Sequence, residues 1–132
     1  MLGELIYEAM GKTLGLRMLD DNGTMEITIQ EQGTVFGIEC TLTATLVEKY
    51  RPTGIMYSEG HGIMMTKDGD IATLTLSAIT IPKGLPPLGS IRGVTFFNTQ
   101  SPKLARLNSV CCVFEAEMNE DHSYSVKDWE WK

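Results

Sequence analysis

Lys67-Asp68-Gly69-Asp70-Ile71-Ala72-Thr73-Leu74-Thr75-Leu76-Ser77-Ala78 joins a tight-turn signal to a strictly alternating run. The Asp-Gly pair tolerates the positive φ angles of a hairpin turn. Beyond it Ala72, Leu74, Leu76 and Ala78 alternate with Thr73, Thr75 and Ser77, which places the apolar set on one face of an extended strand. The same period of two returns on both sides. Met25, Ile27 and Ile29 alternate with Glu26, Thr28 and Gln30, and Leu42, Ala44 and Leu46 alternate with Thr41, Thr43 and Thr45. Val110, Cys112, Phe114, Ala116 and Met118 form one more such row. Thr, Ile and Val together make up 30 of the 132 residues, an enrichment that favours strands. Period two in four separate segments argues for an all-β chain.

Turn signals divide the chain into strands over roughly 3–9, 11–20, 24–31, 34–49, 55–66, 71–82, 90–98, 109–118 and 122–131. The break near Gly11 either separates two strands or is only a bend in one long first strand. Asp20-Asp21-Asn22-Gly23 reads as a type I′ hairpin, and Arg51-Pro52-Thr53-Gly54 and Met118-Asn119-Glu120-Asp121 as further turns. Long strands joined by short turns coil and close, and closure removes exposed sheet edges. The expectation is a closed antiparallel β-barrel of about eight strands, residues 1–132 forming one domain, with a two-sheet sandwich as the alternative. Gly37, Gly60, Gly62 and Gly93 would mark the bends. Lys83-Gly84-Leu85-Pro86-Pro87-Leu88-Gly89 cannot be a ladder strand and reads as a crossover or rim loop. Ser101-Pro102-Lys103-Leu104-Ala105-Arg106-Leu107-Asn108 reads as a short helical turn. Ser101 would cap it and Asn108 would end it in a left-handed conformation. Leu104 and Leu107 would share a face and plug one barrel end.

Composition narrows the function classes. Lys and Arg number 11 against 17 Asp and Glu, a net charge of −6, with no basic cluster. That argues against nucleic acid as a partner. The longest apolar run, Val110-Cys111-Cys112-Val113-Phe114, is far short of a membrane-spanning helix, so no membrane partner is expected. Met1-Leu2-Gly3-Glu4 lacks a basic leader, and the expected location is cytoplasmic. Cys40, Cys111 and Cys112 are an odd set without a CxxC spacing, read as reduced apolar fillers. His61 and His122 are the only histidines. They lie in no ligating cluster, so neither a metal nor a cofactor is expected.

Tyr57-Ser58-Glu59-Gly60-His61-Gly62 carries the densest chemistry. As a strand it places Tyr57, Glu59 and His61 on one face. Glu59 and His61 are then the candidate general acid/base pair, and Tyr57 a candidate ligand contact. The competing reading turns Glu59 and His61 outward into water. Arg92 is the second candidate ligand contact, able to grip a carboxylate, or else to pair with an acid on the neighbouring strand. Glu115 and Glu117 fall opposite Cys112, Phe114 and Ala116 and are expected to face outward. Trp129 and Trp131 share a face and suit cross-strand packing or contact between copies.

Arg92-Gly93-Val94-Thr95-Phe96-Phe97, the helical stretch 101–108, Val113-Phe114-Glu115 and the closing Trp129-Glu130-Trp131-Lys132 resemble a small prokaryotic family of uncharacterised proteins. Those proteins are similar in fold to the allene oxide cyclase type of β-barrel. The resemblance covers roughly residues 55–132. It implies a closed barrel whose interior accepts an apolar molecule, and carries over no cyclase residues. The expected function is non-enzymatic binding of a small apolar or amphipathic molecule. The alternatives are a small isomerase or cyclase using Glu59 and His61, and a homo-oligomeric structural subunit.

Overall fold

The apolar rows turn inward and face one another around a closed barrel. The computed structural model describes residues 1–132 throughout. Eight strands follow in order: β1 (Leu2–Met18), β2 (Met25–Val35), β3 (Ile38–Tyr50), β4 (Met56–Thr66), β5 (Ile71–Pro82), β6 (Gly89–Thr99), β7 (Cys112–Met118) and β8 (Ser123–Trp131). Each pairs antiparallel with the next, and β8 returns to pair with β1. No sheet edge is left open. Leu42, Ala44, Met64, Ala72, Leu74 and Cys112 are buried in one core, while the threonines between them face out or lie half-buried. No helix is long and apolar enough to cross a membrane.

Two glycines of β4 sit where the wall is tight against its neighbours. Gly60 lies between Leu46 and Leu76, and Gly62 between Ala44 and Leu74. A β-carbon at either would press on the Thr45 or Thr43 carbonyl oxygen of β3. The bare backbone lets the neighbouring strand approach closely there.

Three local expectations need correcting. The first concerns where β2 ends. It runs past Gly33 to Val35, so Thr34 and Val35 belong to β2, and the reversal occurs at Phe36 and Gly37, with φ of 50° and 77°. Gly33 is no breaker, because its missing side chain gives room to Glu8 and Ala9 of β1. Gly37 therefore serves the turn and not a strand bend. Second, Asp20–Gly23 is not a two-residue hairpin turn. The Leu19 amide donates to the Thr24 carbonyl, and the Asp20 carboxylate accepts from the amides of Asn22 and Thr24 at 2.9 and 3.2 Å. Asp20 thus supplies a side-chain turn that competes with the type I′ form. Third, β1 is one strand past Gly11; its register shifts against β2 between Thr13 and Gly15 and against β8 between Leu2 and Tyr7.

One end of the barrel is shut by a 3₁₀ helix, Pro102–Ser109. Side chains three apart eclipse one another in this geometry, so Leu104 and Leu107 enter the core together. Ser101 makes no side-chain cap; its hydroxyl donates instead to Asp70 Oδ1 at 2.7 Å. Asn108 is not left-handed but clamps Thr99, accepting from its amide at 2.8 Å and donating to its carbonyl at 2.9 Å. Arg106 ties the helix to Glu4 and Glu130 at 2.6 and 2.9 Å. Lys83–Leu88 is a rim loop joining β5 to β6 at the opposite end, and Gly89, read from sequence as part of that loop, opens β6.

Candidate functional site

Because the helix closes one end, the space inside the barrel opens at the other, among the β1–β2, β3–β4, β5–β6 and β7–β8 turns. The cavity holds about 330 Å³, within the range of small-molecule sites. Ile27, Ile29, Leu46, Met56, Leu76 and Ile91 form much of its wall. Tyr50, His122, Pro86 and Pro87 stand at the mouth. His122 has a φ of 68°, the left-handed conformation of the residue closing the β7–β8 turn. It is half-buried and lines the entrance.

Polar groups gather on the cavity floor. Glu31 of β2 is 7% exposed and accepts hydrogen bonds from the Tyr7 hydroxyl at 2.8 Å and the Tyr124 hydroxyl at 2.6 Å. The tyrosines come from β1 and β8, so three adjacent strands build one cluster. Burial pushes the Glu31 carboxyl above its ordinary value, although both phenols favour the charged form. Burial, with the neighbouring Glu31, also pushes both phenols up, so they remain protonated donors. Asp128 of β8, 3% exposed, lies next to this cluster. Burial and then the Glu31 charge drive its carboxyl upward, against a hydrogen bond with Thr95. A smaller void of about 30 Å³ reaches from Glu31 to Asp128 and Thr95. It shares Glu31, Leu76, Phe114 and Val126 with the main cavity. Glu48 is a third carboxyl on the lining, and burial raises it as well.

The candidates read from sequence are elsewhere. Glu59 and His61 lie exposed on the outer face of β4, because the register turns Met56, Ser58 and Met64 inward. Tyr57 is half-buried on that outer face; its hydroxyl donates to Glu59 Oε2 at 3.0 Å and Arg51 lies 4.9 Å from its ring centre. Arg92 is exposed and pairs with Glu115 at 3.7 Å and Glu117 at 3.6 Å, both outward on β7. The structure brings Tyr57 and Glu59 together and sets both apart from the cavity. Sequence reasoning passed over Tyr7, Glu31, Tyr124 and Asp128. The signal for Glu31 was present: it continues the Met25, Ile27, Ile29 row by one step. No three His, Cys, Asp or Glu side chains converge as a metal site.

The fold recurs in solved proteins. A conserved protein of unknown function from Rhodopseudomonas palustris matches with a TM-score of 0.79 at 14% identity, covering 99% of each chain. A beta-barrel like protein from Acinetobacter baumannii matches with a TM-score of 0.76 at 15% identity, over 98% of this chain and 94% of that one. An enzyme from Penicillium herquei matches with a TM-score of 0.61 at 14% identity, over 97% of each. At these identities the likeness is one of fold alone. No protein-family model and no curated protein matches the chain.

Proposed function

We propose that residues 1–132 form one barrel domain that binds a small apolar or amphipathic molecule in its interior. The supporting observation is the open cavity of about 330 Å³ with a mostly apolar wall. A well-formed apolar pocket with a few convergent polar groups is the usual form of a small-molecule site. Kinship with the allene oxide cyclase type of barrel belongs to the same proposal, as does a cytoplasmic setting. Self-association through the exposed Trp131 is compatible with it.

Ala78 allows a test, since it is buried and its side chain lines the cavity. Ala78→Phe puts a ring into that space. Titration with an environment-sensitive apolar dye should show at least about tenfold weaker binding, a loss of about 1.4 kcal/mol, with the strand signal in circular dichroism retained. Equal dye binding by a folded variant would move the site out of the barrel.

A second reading, an isomerase or cyclase, draws on the floor cluster. A buried carboxyl held by two phenols beside another raised carboxyl is a form general acid/base chemistry takes. In that reading Glu31 and Asp128 replace Glu59 and His61, because only groups facing the cavity reach a molecule inside it.

A further inference from the structure

The distribution of charge between the wall's two faces is one-sided. All 11 Lys and Arg side chains are exposed. None lines the cavity or the void beneath it, whereas Glu31, Glu48 and Asp128 do. His122 at the mouth is the lone basic group on the lining. Neither Glu31 nor Asp128 has a cationic partner, since every ion pair in the protein lies on the surface or at the helix. A carboxylate offers about four acceptor directions, and the two tyrosines occupy only two of those on Glu31. The void between Glu31, Asp128 and Thr95 has space for a group the size of a water molecule. Buried carboxyls are ordinarily paired with a cation or bound by donors, and here the remaining acceptor capacity faces an apolar chamber.

We propose that the barrel's ligand is an apolar amine, bound with its ammonium on the floor between Glu31 and Asp128 and its hydrocarbon body against Ile29, Leu46, Leu76 and Phe114. This rests on the reading of the cavity as a ligand site and adds its chemical class and orientation. An ammonium carries three donors for the free acceptor directions and supplies the positive charge beside which the buried carboxyls ionise. A fatty carboxylate of the same length fits the same walls but meets only further acids at the floor and finds no lysine or arginine. An alcohol keeps the hydrocarbon contact and loses the charge. The interior therefore ranks amine above alcohol and alcohol above carboxylate.

Calorimetric titration of the full chain at neutral pH with octylamine, octanol and octanoate tests this order. Octylamine is expected to bind at least about tenfold tighter than octanol, and octanoate weaker than both. Asp128→Asn keeps the side chain's shape and removes the carboxyl that ionises beside the ammonium, so the amine preference should fall toward unity while octanol binding stays. Glu31→Gln should act in the same direction, and the wild-type ranking stands whether or not either variant folds. Octanol equal to octylamine, or octanoate the tightest, overturns the amine assignment and leaves the binding barrel standing. Failure of all three to bind overturns the cavity reading and this inference with it. An amine preference unchanged in both folded variants overturns the placement of the ammonium.

Discussion

Glu31 shows how one side chain can be legible in kind and missed in place. Its row begins with Met25, Ile27 and Ile29, and strict alternation carries it inward. Acids are uncommon on such a face, so local propensity speaks against what register dictates. Asp128 follows the same rule along Tyr124 and Val126, while Trp129 and Trp131 on the other face draw attention away. Glu59 and His61 have the more familiar chemistry but the outward parity. Burial gives Glu31 and Asp128 a measurable consequence. A carboxyl that holds its proton more tightly in the folded chain than in the unfolded one stabilises the fold fully below the unfolded value, about 4.3 for Glu. That contribution is lost as pH rises through the raised folded value. Wild-type stability to urea should therefore fall as pH climbs above about 4, by up to about 1.4 kcal/mol per pH unit for each such group. Glu31→Gln should flatten the slope. An identical slope in the two proteins would mean that Glu31 ionises in the fold as it does in the unfolded chain.

At the scale of elements, alternation decided the strands and left their ends open. β5 and β7 follow from their rows, and Arg92, Glu115 and Glu117 face outward as parity requires. The turns were harder, because the reversal at Phe36-Gly37 lacks the Asn or Asp that marks a type I′ pair, and Asp20 rewired the most obvious turn. The 3₁₀ helix is the element on which the closed end depends. Leu104 and Leu107 are wholly buried at its inner face. Leu107→Ala should cost about 2–5 kcal/mol, the range for buried Leu truncations, seen as a lower urea midpoint with an unchanged strand signal. A cost under about 1 kcal/mol would show that the end of the barrel collapses over the gap.

For the whole molecule, closure determines the interior as well as the fold. Eight paired strands leave no edge, so the wall is complete and the interior becomes a separate environment. One end is stoppered by the helix and the other is open, which makes a cup with acids at its base and all lysines and arginines outside. The closed barrel was readable from period, turn spacing and strand length. The floor of the cup was not, because it assembles from β1, β2 and β8, elements 93 residues apart in the case of Glu31 and Tyr124. Spacing along one segment carries no trace of such a meeting. The central claim is that this cup holds a small molecule. A native mass spectrum of protein purified gently from its own cells should show a stoichiometric adduct that disappears on denaturation, and its mass would give the ligand's class. The bare chain mass alone, under conditions that keep the barrel folded, would contradict the claim.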